Sequence, residues 1–302
     1  MVAALKVLVT GAGGLLGSDL CRNLRKRHEV TGWTRRAREI SGEWVQAMDI
    51  TDREAVAREM KELKPELVIH TAAVSDVDAC ERDPESTRRV NVEGVRHLAD
   101  ACRAEGAFLI SVSTDYVFNG KAGRPYREED PTDPVNRYGQ MKREAEDLAL
   151  KLCQRSAVVR VSGLFGSGRP NFVSESVRRG QKEEPIPVTP QRHSPSYTAD
   201  LAEGFGWLVD RIGSLGKETR ILHLCNEGGA SRSEVAREIL RWLKRPESLV
   251  QETTWEALGR PARRPADTRL DGSLFERLTG RRLRPWQQAL RDFIDRERGC
   301  LS

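Results

Sequence analysis

The first half of the chain alternates short, β-branched apolar runs with longer stretches whose apolar positions recur every three or four residues. That alternation marks βαβ units: an unbroken apolar run suits a strand buried on both faces, and a one-sided stripe suits a helix packed over it. The runs predict strands at 5–10, 29–33, 43–48, 67–70, 108–113 and 157–161, with helices at 15–27, 52–63, 84–105 and 137–154. The fold class is therefore α/β, a Rossmann-type doubly wound parallel sheet. After Val161 the pattern loosens: Gly163, Gly166, Gly168 and Pro170 mark a loop, and Pro185, Pro187, Pro190 and Pro195 punctuate an extended stretch. Further helices are expected at 171–181, 198–211, 231–243, 273–280 and 285–298, one strand at 221–224, and irregular chain over 246–265. The expected organisation is a nucleotide-binding domain over 1–163, completed by about 193–225, and a smaller α/β substrate-binding portion from 164–192 and 226–302.

Composition leaves this picture intact. Apolar residues are 38% and charged residues 31%, ordinary for a globular chain apart from the raised charge. The longest run without a charged residue is the twelve residues 7–18, well short of the roughly 20 that span a bilayer. No membrane helix or secretory leader is expected, so the expected location is cytoplasmic. The six cysteines (Cys21, Cys80, Cys102, Cys153, Cys225, Cys300) form no metal-ligand cluster and read as reduced thiols. The net charge of +5 is lopsided, because residues 260–298 hold eleven arginines against six acids, the whole of the excess.

Two motifs carry chemistry. Thr10-Gly11-Ala12-Gly13-Gly14-Leu15-Leu16-Gly17 follows the first strand and opens the first helix, where a dinucleotide-binding turn belongs. Its spaced glycines let the backbone approach a pyrophosphate, and the helix N-terminus faces the phosphate charge. At the end of the second strand an acid would grip ribose hydroxyls; this chain has Arg35 and Arg36, which favour a 2′-phosphate, hence NADPH, while leaving NADH open. Further on, Tyr138 and Lys142 stand at i and i+4, on one helix face. A neighbouring cation stabilises phenolate, so this spacing suits a tyrosine that exchanges a proton with a substrate oxygen. The strand ending Ser111-Val112-Ser113-Thr114-Asp115 brings hydroxyls to the carboxyl edge of the sheet, where α/β ligands bind.

These residues resemble an extended short-chain dehydrogenase/reductase and, within it, the dTDP-4-dehydrorhamnose reductase family, over nearly the full length. The resemblance runs through the glycine turn, Asp49-Ile50, Thr71-Ala72-Ala73, Val77-Asp78-Ala79-Cys80-Glu81, Val90-Asn91, Ser113-Thr114-Asp115-Tyr116-Val117-Phe118-Asn119-Gly120 and Asn136-x-Tyr138-Gly139-x-x-Lys142. Asn171-Phe172-Val173 and Arg264-Pro265-Ala266-Asp267-Thr268-Arg269-Leu270-Asp271 complete it. It implies NADPH-dependent reduction of the C4 keto group of a nucleotide-linked 4-keto-6-deoxy sugar. Thr114, Tyr138 and Lys142 become the triad: Tyr138 protonates the oxygen, Thr114 hydrogen-bonds it, and Lys142 lowers the Tyr138 pKa and binds the nicotinamide ribose. Gly11, Gly14, Leu15, Leu16 and Gly17 take the cofactor phosphates, Asp49 and Ile50 the adenine, and Ala72 and Ala73 the pyrophosphate-ribose groove. Asn91 is implied in a water relay to Lys142. Ser75, Asn119, Arg264 and Arg269 are implied as substrate contacts, the arginines as pyrophosphate ligands that explain part of the basic segment. The remaining arginines there read as a solvated face, so nucleic acid and membrane are not expected partners. A homodimer, and a magnesium ion between subunits, are left open.

The chain departs from the family where Ser162-Gly163-Leu164-Phe165-Gly166 replaces a Ser-Trp-x-Tyr-Gly string, losing an aromatic substrate contact. Related strings also occur in the NADP-binding regulatory β subunit of methionine adenosyltransferase, and sugar-nucleotide epimerases and dehydratases share the fold, so both stand as alternatives. His70, Cys80, Glu81, Trp207 and Trp242 read as core or capping residues, and His193 as a loop residue either near substrate or at the surface.

Overall fold

The computed structural model describes residues 3–40, 43–216 and 219–297; Arg298 and Cys300 lie outside them. An eight-stranded sheet forms the centre. Its strands are β1 (Lys6–Thr10), β2 (Glu29–Thr34), β3 (Arg38–Ile40), β4 (Glu43–Ala47), β5 (Leu67–His70), β6 (Phe108–Thr114), β7 (Ser156–Val161) and, after four short strands, β12 (Ile221–His223). Their order is β12-β7-β6-β5-β1-β2-β4-β3, seven parallel strands with β3 antiparallel at one edge. β3 is an addition to the expected elements, since the Arg-rich stretch 35–38 reads as loop, yet Arg38 pairs with Val45 in a hairpin. The strand order reverses at β1, whose Val9 faces Gly32 of β2 on one side and Ile69 of β5 on the other. A ligand crevice is expected there, beyond the carboxyl ends of the strands.

Helices α1 (Leu15–Leu24), α2 (Arg53–Leu63), α5 (Gly94–Glu105) and α6 (Arg137–Leu152) make the crossovers. The helix expected over 84–105 is in three pieces: α4 (Pro84–Arg88), a π-turn (Arg89–Glu93) and α5, preceded by α3 (Val77–Arg82). Side-chain caps set these boundaries. Asp52 accepts from Ala55 N–H to start α2, Asp76 caps α3 and Asp83 caps α4. α8 (Thr198–Val209) lies against α1, and its Leu201, Phe205 and Leu208 join Leu16, Leu20 and Leu24 in one core with Leu222 of β12.

A second, smaller core lies beyond the sheet. Phe165 of β8 (Leu164–Phe165), Val173 and Val177 of α7 (Phe172–Gln181), Tyr197 of β11 (Ser196–Tyr197), Val235 and Ile239 of α9 (Arg232–Leu243), and Phe293 of α11 (Trp286–Glu297) pack together there. Its edges are β9 (Ile186–Val188) paired with β14 (Val250–Glu252), β10 (Arg192–His193) paired with β13 (Ala230–Ser231), and β8 paired with β11; α10 (Ser273–Thr279) returns Phe275 to the first core. The cysteines of the described residues are free thiols, and no helix there is long and apolar enough to cross a membrane.

The basic segment is largely paired. Arg284 grips Asp200 with two bonds of 2.8 Å, and Arg282 meets Glu227 and Glu276. Trp207 and Trp242, expected in the core, are half-buried at its rim under the guanidiniums of Arg281 and Arg291, because an indole with a wet edge suits a cation cover.

Candidate active site

The glycine turn is shaped by close backbone approach. Gly11 has φ +71°, and a Cβ there would stand 2.6 Å from Ala72 N and 2.7 Å from Thr71 Oγ1. A Cβ on Gly17 would stand 2.2 Å from Gly11 O, so α1 can start against the turn only with glycine at that position. Gly14 precedes the helix without a side-chain cap, which leaves first-turn N–H groups facing the cleft. Gly14, Leu15, Leu16 and Gly17 line that cleft with Thr71, Ala73 and Ser75, while Ala72 packs under Gly11. Arg35 and Arg36 are exposed just past β2. Asp49 is exposed, its carboxylate accepting from Thr51 N (2.9 Å) and Oγ1 (2.8 Å), which with the Arg89 and Arg35 charges lowers its pKa. Ile50 is buried against Gly94. A cradle without Cβ atoms beside two free-standing arginines fits a dinucleotide carrying a 2′-phosphate.

Thr114, Tyr138 and Lys142 line the same cleft, which encloses about 440 Å³. Asn136 caps α6 by accepting from Gly139 N at 2.8 Å, and Gly139 lets the helix close on the turn after β6, since a Cβ there would stand 2.2 Å from Tyr116 O. Thr114 donates to Asp115 Oδ1 at 3.0 Å, and Lys142 Nζ donates to Val112 O at 2.7 Å. Burial raises the Tyr138 pKa above the ordinary phenol value, with the Thr114 hydroxyl acting against it. This corrects the expected depression by Lys142: the ammonium is turned to Val112, and desolvation dominates at the phenol. Burial also lowers Lys142 to about 8, opposed by Glu146.

Glu146 continues the Tyr138 and Lys142 face by one more turn. It is buried, accepts from Ser113 Oγ at 2.5 Å and pairs with buried Arg160 through bonds of 2.9 and 2.8 Å. Arg160 in turn lies over Phe118. Asp115 accepts from Thr114, Ser162 (2.7 Å) and Thr268 (2.5 Å), and burial raises it to about 6 against those bonds. Neither group was singled out from the sequence, although the i+4 step from Lys142 and a lone arginine inside the 157–161 run are signals for Glu146 and Arg160. Tyr116, part of the 113–120 string and edge-on to Tyr138 at 6.1 Å, also lines the cleft, as do Gln191 and Arg232, which have no sequence motif of their own.

Several expected roles are redirected. Asn91 sits in the π-turn, and its amide bonds both Val74 N (2.8 Å) and Val74 O (3.0 Å), fixing the loop after β5 rather than presenting to a relay. Asn119 bonds Asp133 and Tyr126 OH outside the cleft lining. Arg264 grips Asp78 with bonds of 2.6 and 2.7 Å, and Arg269 grips Asp267, so neither is free for a pyrophosphate. Burial pushes the Asp78 carboxyl up, but the Arg264 and Ala262 hydrogen bonds outweigh it and hold it near about 2. His193 lines the cleft on β10, buried and neutral, its pKa lowered to about 3 by burial and by Arg232. Its ring explains the missing family aromatic: at Gly163 (φ +56°) a Cβ would stand 2.1 Å from His193 Cδ2. His70 is a core residue, bonded to Thr10 at 2.7 Å; Cys80 packs beneath Val74, and Glu81 accepts from Arg137 N at the start of α6.

The chain matches the family described as RmlD substrate binding domain over residues 5–298. It is 39% identical over 292 residues to a dTDP-4-dehydrorhamnose reductase of Streptomyces griseus, covering 94% of this chain and 91% of that one. It is 35% identical over 298 residues to the spore coat polysaccharide biosynthesis protein SpsK of Bacillus subtilis (strain 168), covering 98% and 99%. A dTDP-4-dehydrorhamnose reductase from Bacillus anthracis str. Ames, solved in complex with NADP, superposes with a TM-score of 0.86 at 29% identity, covering 97% and 99%. With a glycine cradle, a Thr114, Tyr138 and Lys142 cluster and these full-length matches, the chain belongs to the dTDP-4-dehydrorhamnose reductase family.

Proposed function

We propose that this protein reduces the C4 keto group of a nucleotide-linked 4-keto-6-deoxy sugar, as the names of its relatives describe, using NADPH. The observation that carries the reading is the convergence of Tyr138, Thr114 and Lys142 on the cleft that the glycine turn also lines. Bound NADPH would supply hydride, held by residues 11–17 with Arg35 and Arg36 near its 2′-phosphate. The chain's own part is the proton. Because burial raises the Tyr138 pKa, the phenol is protonated at neutral pH and is an acid for the oxygen that gains charge. Thr114 Oγ1, at the end of β6, is a hydrogen-bond donor that can exchange Asp115 for that oxygen. Lys142, at about 8, is still mostly charged at neutral pH and would stabilise the phenolate left behind once its ammonium exchanges Val112 O for that oxygen.

Mixing the protein with NADPH and dTDP-4-keto-6-deoxy-L-mannose should consume NADPH stoichiometrically, whereas an epimerase or dehydratase would show no net consumption. Tyr138→Phe should lower kcat by about 10²- to 10⁴-fold with NADPH affinity retained. Equal turnover by that variant would sink the assigned acid.

A further inference from the structure

Three cations line the cleft among the described residues: Lys142, Arg169 and Arg232. Lys142 is bonded to Val112 O, and Arg169 is exposed on the loop before α7. Arg232, the first residue of α9, is different. Its backbone N–H is bonded to Gln191 O at 3.1 Å, which pins the residue at the cleft wall. Its guanidinium is inserted between two rings, 4.7 Å from the centre of Phe172 and 5.7 Å from that of Trp255. Its Nε is buried without a hydrogen-bond partner, and none of the described carboxylates pairs with it. A desolvated guanidinium lacking an anion is costly, so the site is incomplete until an anion arrives. The contrast with Arg264 is direct, because Arg264 stacks on Trp255 at 4.8 Å and already holds Asp78.

The geometry points to Arg232 as the anchor for the diphosphate of the sugar-nucleotide substrate, a role that the basic segment 260–298 does not fill. This inference rests on the reductase reading above. The cofactor phosphates have their own place at the glycine turn, so a second anion in this cleft calls for a second cation. A planar guanidinium clamped between aromatic faces offers a preoriented fork to two phosphate oxygens. Arg232 thereby becomes a specificity residue for the diphosphate, separate from the proton chemistry of Tyr138.

The test is calorimetric titration of the NADP-loaded protein with dTDP, UDP and thymidine. Arg232→Met should weaken dTDP binding by about ten- to a hundredfold, the worth of charge-assisted bonds to a buried group, and leave thymidine and NADP affinities unchanged. Arg232→Lys, which keeps charge without the fork, should fall between. If Arg232→Met melts early, Arg232→Gln keeps a planar donor between the rings and carries the same expectation. Equal dTDP affinity in variant and wild type, or equal losses for dTDP and thymidine, would overturn the anchor and leave the reductase reading standing. A wild-type protein that binds NADP but neither dTDP nor UDP would overturn the substrate reading, and the anchor with it.

Discussion

The sheet wall of the cleft and the C-terminal segment 262–271 hold their side chains in opposite ways. On the sheet wall, Tyr138, Lys142 and Glu146 follow one another at single-turn spacing along α6, and Thr114 ends the strand beside it. Their positions come from local periodicity and one close contact of the helix with the turn after β6, at Gly139. The segment from Ala262 to Asp271, outside the cleft lining, is held by partners far away in the chain. Asp78 bonds Ala262 N and Arg264, Asn136 Nδ2 donates to Arg263 O at 2.8 Å, Asp115 takes Thr268, and Tyr126 N donates to Arg269 O at 2.7 Å. The wall is specified by spacing and the segment by long-range polar pairs, so cutting each should leave a different signature.

Cutting the sheet wall should have the largest effect. Glu146→Ala leaves Arg160 as an unpaired charge, with both side chains almost wholly buried (2% and 1% exposed), at a cost of roughly 3–5 kcal/mol. Chemical denaturation measures this, and a change below about 1 kcal/mol would show the pair to be dispensable. Asp78→Ala should cost nearer about 3 kcal/mol, since Arg260, its other partner, is half exposed. Its signature should be a raised KM for the sugar nucleotide with NADPH affinity near wild type. A matching loss of NADPH affinity would erase the distinction between wall and segment. Thr268→Val removes one of three hydroxyls from Asp115 and should cost about 1 kcal/mol.

The effect of pH is of the same order. Burial lowers His70, His193 and His223 to about 3, with Lys142, Arg232 and Arg160 respectively adding to it, against an unfolded value near ~6.5. The unfolded chain therefore binds more protons there, and this stability is lost as pH falls below ~6.5. Asp115 and Glu128, raised by burial to about 6 and about 7, act the other way: their folded forms gain protons first as pH falls. Three groups against two leave a net loss of about 1–2 kcal/mol between pH 7 and pH 5. A melting temperature that rises over that interval would mean the histidines are not held neutral.

The sheet wall could be read almost residue by residue. The glycine turn lies in one contiguous string, and the triad shares a strand end and a helix face, so strand and helix periods place them. The 262–271 segment is less legible for a physical reason: an arginine's role depends on which acid reaches it. Arg264 and Arg232 carry the same group against the same indole of Trp255, yet one holds Asp78, 186 residues away in the chain, and the other holds no carboxylate. The partner of the Asn91 amide, the backbone of Val74, is likewise set by tertiary structure and not by a local pattern.

The sequence by itself determined the α/β architecture, the glycine turn and the placing of Tyr138 and Lys142 on one helix face, because each rests on interactions within a few residues or on one repeating period. Tertiary structure alone decided which charges are spent and which are open, what keeps Lys142 and Asp115 at their shifted pKa values, and why His193 stands beside Gly163. Those properties depend on desolvation and on partners separated by most of the chain, and no local pattern encodes either.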